Sequence, residues 1–494
     1  MAWLGQALHN RRAEAWPVAV VGGGRQRRPN LNARSPPSTL ISGQILRTLC
    51  KIVAASGCSC DTDRMLIDFS IENYRSIADR QTISFVASKH RSNAEGQAAV
   101  AVKGLRSQQL LTSAVIYGAN ASGKSNVVRA LAEACGRIRT SATEPEHDIQ
   151  PFLLDPRWAT KPSRFEFTFL LAGVRYQYGF ALDASLVHEE WLIAYPHRAP
   201  QLWFERRWDG TKHEITFGSS LKGEKSRTHK MTRPDALFLS VAAQLNQESL
   251  IPIHQELTQR LRARQASWVA PADTAHLVEQ ATHHVHDAFL SLLAAADVGI
   301  RQVVVKRHKA DIIRESSAIS GSIGATRVLF RSHQKDELFE IQTEHERSDG
   351  ERILFNLSDE SQGTIQYFSL LAPLIDSLFN GGLLAVDELD ESLHPLLVRK
   401  IVGLFHDPAV NVGGAQLLFN THDTTLLDRE LFRRDQIWFV EKEPPGKSRL
   451  YSLLDFSPRR DEALQKGYLQ GRYGAIPFLG DFTLSDAHSA KESV

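Results

Sequence analysis

The sequence predicts an α/β fold of two lobes with a helical insertion, and three observations predict it. A glycine-rich stretch at 118–125 stands between a strand-like apolar run and a helix-like one. Two further apolar runs, 383–387 and 416–420, end in polar residues and flank a helical pattern, as successive strands of a parallel layer do. Near residue 235 the apolar spacing changes from strand-like alternation to helical periodicity. With 494 residues, 42% apolar and 23% charged, the chain has a globular composition, which excludes general disorder, collagen and a disulfide miniprotein. No uncharged apolar run approaches the roughly 18–20 residues of a membrane span.

The elements follow in order. Residues 1–64 lack periodicity and hold nine Lys/Arg against three Asp/Glu, together with Cys50, Cys58 and Cys60. Rich in Arg and poor in acid, this leader has the makeup of a transit segment. Met65 opens a strand, however, so a start codon placed too early is the preferred expectation. The leader's net charge of +6 leaves −4 for the remainder of a chain whose formal charge is +2. An acidic body with Cys135 as its one cysteine predicts a reducing, cytoplasmic setting without disulfides.

Alternating runs at 66–72, 81–86, 164–171 and 174–181, with a buried-type strand at 113–117, define a first lobe at 65–224. Segments 235–245, 249–264 and 274–297 space their apolar residues helically (Val278, Ala281, Val285, Phe289, Leu292), giving a helical insertion at 225–300. Strand-like runs at 301–306, 327–331 and 337–343 are expected to complete the first lobe through residue 345. A helix at 363–379 then opens a second lobe at 346–482, followed by a tail at 483–494. The sequence shows neither a tandem repeat nor a long heptad array.

The chemistry centres on Gly118-Ala119-Asn120-Ala121-Ser122-Gly123-Lys124-Ser125, a full G-x-x-x-x-G-K-[ST] match in strand-to-helix context. Glycines let backbone N–H groups close round a phosphate, and the helix N-terminus adds a positive dipole end. Lys124 is expected to reach the β- and γ-phosphates and the Ser125 hydroxyl to take Mg²⁺. Asp387 and Glu388 end the strand at 383–387, Asp387 for Mg²⁺ and Glu388 to orient or deprotonate the attacking water. His422, just past the strand at 416–420, is placed to donate to the γ-phosphate or to that water. Two glycine-rich stretches, 18–24 and 218–226, lack the flanking strand and helix and read as loops. His283, His286 and Asp287 have helical metal-ligand spacing but read as solvent-facing groups beside an apolar stripe. The basic run 306–309 reads as a solvated edge.

With 357–364 (Leu-Ser-Asp-Glu-Ser-Gln-Gly-Thr) between the loop and the acid pair, the motif order resembles ABC-type ATPases of the SMC/RecF group. Within that group the chain is most similar to the abortive-infection AbiLi-like ATP/GTP phosphatases of bacteria. The likeness runs from Met65 to about Phe482. It includes Ile71-Glu72-Asn73-Tyr74-Arg75-Ser76, Pro151-Phe152-Leu153-Leu154-Asp155, the stretch 435–442 and the stretch 467–477. The resemblance implies an ABC-type head in which two ATPs are sandwiched between two protomers. Ser361 and Gly363 match the element that closes on the partner's γ-phosphate, although Gln362 and Glu360 depart from its usual residues. Arg75 matches an arginine that touches nucleotide, and Gln150 is the candidate for the loop that senses Mg²⁺ and water. Three functions are carried forward. The first is a defence ATPase controlling a separate effector. The second is a RecF-like DNA-repair ATPase, which the acidic body does not support. The third is a nucleotide-gated scaffold without essential turnover.

Overall fold

The computed structural model describes residues 63–89, 98–102, 104–105, 108–144, 149–197, 199–265, 271–309, 329–331, 337–456 and 462–477. Residues 1–62 of the leader and the tail at 483–494 lie outside them. An antiparallel sheet of seven strands forms first. Its members are β1 (Met65–Glu72), β2 (Gln81–Ser84), β6 (Ser163–Leu171), β7 (Val174–Leu182), β8 (Val187–Tyr195), β9 (Gln201–Trp208) and β10 (His213–Phe217). They lie in the order β10-β9-β8-β7-β6-β1-β2. Beside it, β3 (Ala99–Ala101) pairs with β4 (Gln109–Leu111). The helices used below are α1 (Lys124–Thr140), α2 (Phe238–Gln244), α3 (Ile251–Gln255), α4 (Pro271–Gln280), α5 (His283–Ala295), α6 (Gln362–Asn380) and α7 (Pro395–His406).

The second sheet positions the site. It comprises β5 (Ser113–Gly118), β11 (Leu261–Gln265), β16 (Leu383–Asp387), β17 (Gln416–Asn420), β18 (Ile437–Glu443) and β19 (Lys447–Ser452), in the order β11-β16-β17-β5-β18-β19. All neighbours are parallel except the β18–β19 hairpin. β5, β16 and β17 are buried along their whole length. Covered on both faces, they read as unbroken apolar runs rather than alternating ones. Successive side chains nevertheless feed two different cores. Ala114, Ile116, Leu383, Ala385 and Leu418 join the cluster that holds Val127, Leu131 and Ile138 of α1. Val115, Tyr117, Leu384, Val386, Leu417 and Phe419 join the one that holds Phe368 and Leu371 of α6 and Val402 of α7.

Buried polar groups tie the layers. Gln416 accepts from the Leu66 N–H at 2.7 Å and donates to the Leu66 and Leu111 carbonyls at 3.0 Å, clasping β1 and β4 to the central sheet. Glu190, on β8, accepts from the Phe238 and Leu239 N–H groups that begin α2, at 2.6 and 2.9 Å. Arg206, on β9, faces Glu190 at 3.7 Å and donates to the Ala236 and Arg233 carbonyls. Both charged side chains are fully buried. Burial pushes the Glu190 carboxyl pKa up and the Arg206 guanidinium pKa down.

Two expectations about the middle of the chain are corrected. The segment 249–264 is not one helix: α3 gives way to a π-type turn at Glu256–Arg260 and then to β11, paired in parallel with β16. Leu257 and Leu261, four residues apart, mimic a helical stripe, but the open edge of β16 offers a ladder of backbone partners that periodicity does not reveal. The strands expected to complete the first lobe instead form a sheet of their own. In it, β14 (Glu337–Glu346) pairs with β12 (Gln302–Lys309), β13 (Leu329–Arg331) and β15 (Arg352–Asn356). Val303, Phe339 and Ile341 pack into the core shared with α4, α5 and α6, on the second-lobe side of the central sheet. Residues 327 and 328, within the predicted strand at 327–331, lie outside the described residues. Among the described residues no helix is long and apolar enough to cross a membrane.

Candidate functional site

Because β5, β16 and β17 run parallel, their C-terminal ends share one edge of the sheet, where ligands of such folds bind. There the loop after β5, the acids after β16 and His422 after β17 converge. Asn120, Ala121, Ser122, Gly123, Lys124, Ser125, Glu388 and His422 line one open cleft of about 810 Å³. Asn126, Arg129, Asp390 and Glu391 complete its wall.

The loop geometry explains its glycines. A Cβ on Gly118 would stand 2.3 Å from the Val440 carbonyl oxygen, so β5 and β18 could not approach as they do. Gly123 has φ 109, and a Cβ there would stand 2.1 Å from Ser448 Oγ. Ser448, on β19, donates to the Ser122 carbonyl at 2.5 Å and pairs with the Ser76 hydroxyl at 2.7 Å, and Asn126 donates to the same Ser76 hydroxyl at 2.6 Å. The back of the loop is therefore held by two other chain segments. Lys124 arches over the loop and donates to the Gly118 and Ala119 carbonyls at 2.9 and 3.0 Å. Burial lowers its pKa to about 8 against the pull of Glu388, Asp387 and Asp390. The Ser122 hydroxyl is buried and has no hydrogen-bond partner among the described residues. A buried hydroxyl beside a buried ammonium in a left-handed glycine loop fits a phosphate, which supplies acceptor oxygens to both.

At the strand ends, Asp387 is buried and accepts from Asn420 Nδ2 at 2.5 Å. Asn420 Oδ1 in turn accepts the Glu388 N–H. Glu388 itself has φ 56, a left-handed conformation uncommon outside glycine. The His422 N–H donates to Asp390 Oδ2 at 3.2 Å. Burial lowers the His422 ring pKa, with Lys124 acting in the same direction and Asp390, Glu388 and Asp387 opposing, which favours the neutral ring. A neutral ring has one N–H to donate and one nitrogen to accept. Ser125 and Asp387 offer the hard oxygen donors that Mg²⁺ selects, so the residues fit that ion.

The other predicted residues fall elsewhere. Arg75 lines an adjoining pocket of about 320 Å³ with Asp387 and Arg129, the last of which also lines the main cleft. Gln150 is exposed and lines neither. Its carbonyl accepts the Arg75 N–H at 2.8 Å, so the two are backbone neighbours. Ser361 caps α6 by accepting from the Thr364 N–H at 3.1 Å. A Cβ on Gly363 would stand 2.4 Å from the Ser392 carbonyl oxygen, which packs this element against the turn after Glu388. Neither Ser361 nor Gly363 lines the cleft of its own chain. Sequence reasoning missed Asn420, Asp390, Glu391 and Arg129. Asp390 was legible as a third acid beside Asp387-Glu388, and Arg129 as a cation one turn beyond Lys124. Asn420 carried no signal of its own.

Taken together, a buried, largely parallel sheet, a phosphate-cradling loop after β5 and an acid pair at the end of β16, the next strand but one, define a P-loop nucleotide-binding domain of the ATPase class. The chain belongs to the family described as "AAA domain, putative AbiEii toxin, Type IV TA system", whose profile matches residues 113–428. Among solved structures, the SMC head domain from Thermotoga maritima is 11% identical with a TM-score of 0.35, covering 78% of this chain and 98% of that one. A second, the SmcHead bound to the C-winged helix domain of ScpA, has the same values. A third, an Smc head domain with an extended coiled coil bound to the C-terminal domain of ScpA derived from Pyrococcus furiosus, is 12% identical with a TM-score of 0.33. It covers 80% of this chain and 98% of its own. No curated protein matches the sequence.

Proposed function

We propose that this chain is a Mg²⁺-dependent ATP hydrolase whose ATP-driven dimerisation controls a separate effector in bacterial anti-phage defence, as the AbiLi-like resemblance implies. The single observation that carries the hydrolytic reading is the convergence of Lys124, Ser125, Glu388 and His422 on one cleft. Lys124 would exchange its loop carbonyls for phosphate oxygens, and the loop N–H groups with the start of α1 would hold the remaining charge. Ser125 and Asp387 would hold Mg²⁺, which when bound neutralises charge on the phosphates. Glu388 would orient a water and take its proton, while the neutral His422 ring donates a hydrogen bond toward the reacting phosphoryl group. Cytoplasmic residence belongs to the same reading.

Support for the dimer comes from where Ser361 and Gly363 sit. They begin a long helix yet do not line the cleft of their own chain, and a second protomer would bring them to a phosphate. Arg75 and Gln150 are proposed as accessory groups at the edge of the nucleotide. Mixing tests the trans arrangement. Ser361→Arg and Lys124→Ala proteins should each be inactive alone, and mixed should regain turnover from one competent site per heterodimer. Absence of any rescue would contradict the sandwich.

A further inference from the structure

Asn420 holds two of the proposed reaction's residues at once, and we infer that it is a positioning residue for Asp387 and Glu388; this rests on the reading of the cleft as a hydrolytic nucleotide site. Asn420 ends β17, which pairs in parallel with β16, and its side chain is fully buried. Its Nδ2 donates to Asp387 Oδ1 at 2.5 Å, its Oδ1 accepts the Glu388 N–H, and its carbonyl accepts the Leu389 N–H at 3.3 Å. The orientation of the amide follows from those partners. A carboxylate only accepts and a backbone N–H only donates, so turning the amide over would set like against like at both ends.

Few side chains can replace it. Aspartate lacks the donor and would face Asp387 with a second negative charge. Glutamine is one methylene too long for the same register, and alanine or leucine would leave both buried partners unpaired. The consequence falls on the two acids differently. Asp387 has one oxygen engaged, which fixes the rotation of its carboxylate. Glu388 sits at φ 56, a left-handed conformation that a non-glycine residue adopts only under constraint, and the bond to its N–H holds it there. Because β17 continues into Thr421 and His422, the same amide fixes the histidine-bearing strand end against the acid-bearing one.

The test compares Asn420→Ala with Asn411→Ala. Asn411 is also buried and bonded, donating to the Phe405 and Ala415 carbonyls and accepting the Ala415 N–H, but lies outside the cleft. In Asn420→Ala, kcat for ATP should fall about 100-fold with KM within about threefold, as expected for misplaced reacting groups. Its gain in ADP affinity on adding Mg²⁺, read by calorimetry, should also be lost. Asn411→Ala should lower only the melting temperature. Asn420→Ser takes the place of Asn420→Ala, with the same expectations, if the alanine protein does not fold. If the Asn420 variant keeps kcat and the Mg²⁺-linked gain, or loses them no more than Asn411→Ala, the inference is overturned. A wild-type protein that binds nucleotide without hydrolysing it would refute the hydrolytic reading alone. The Mg²⁺-linked gain then decides for Asn420, its loss supporting the inference and its retention overturning it. A wild-type protein that binds no nucleotide would overturn both.

Discussion

Ser122 and Lys124 prepare the loop for an anion in complementary ways. The one offers a buried hydroxyl with no partner among the described residues, the other a buried ammonium resting on loop carbonyls. Both positions were legible in the sequence as members of the candidate loop, because a phosphate loop is local: eight consecutive residues contain the turn, the glycines and the lysine. Asp387, Glu388 and His422 were legible for a similar reason, each standing at the end of an apolar run. Asn420 was not, because its importance lies in the register between β16 and β17, strands whose bridging residues are 33 positions apart. A buried histidine shows the same dependence on distant neighbours. His406 ends α7, touches Ser113 Oγ at 2.8 Å and Gln436 Nε2 at 3.2 Å, and burial pushes its pKa down to about 4. Unfolded, the ring titrates near 6.5. Between these values the unfolded chain binds the proton and the folded one does not, so stability falls as pH drops through about 6.5 toward 4. Urea unfolding at pH 7 and pH 5 should show His406→Asn losing less stability than the wild type, by roughly 2 kcal/mol. Equal losses would mean that His406 is not held neutral.

At the scale of elements, many of the strands and helices that periodicity predicted are present, although the helical segment at 274–297 is two helices, α4 and α5. β1, β6, β7 and α6 stand within a residue or two of their expected bounds. β8, β9 and β10 were not singled out, their charged and aromatic residues obscuring the alternation (Val187–Tyr195, Gln201–Trp208). β11 was read as helix because pairing, not propensity, makes it a strand. The attachment of α2 to the antiparallel sheet was also hidden, since Glu190 and Arg206 lie on different strands and look like surface charges in a linear reading. Their burial gives a sharp expectation. Glu190→Ala would strand the Arg206 charge and two helix N–H groups, and should destabilise the protein by about 3–5 kcal/mol in urea titration. A loss below about 1 kcal/mol would indicate that solvent reaches the pair.

Across the whole molecule, two cores meet at one parallel sheet, and the cleft opens where that sheet's strands end. The division into a first lobe, an insertion and a second lobe is a reading of the sequence, and the sheets cut across it. The middle segment does not stand apart: it contributes an edge strand to the central sheet, and its later helices share a core with α6, the helix that Ser361 caps. The loop that would grip phosphate and the Ser361 element that would close on a partner's phosphate are thus built on opposite faces of the same sheet. The central claim is that this cleft hydrolyses ATP with Glu388 acting on water. Single-turnover phosphate release, measured at equal ATP occupancy in wild type and Glu388→Gln with Mg²⁺ present, tests it most directly. The variant should retain ATP yet release phosphate at least about 100-fold more slowly; equal rates in the two proteins would mean that Glu388 does not act on the water.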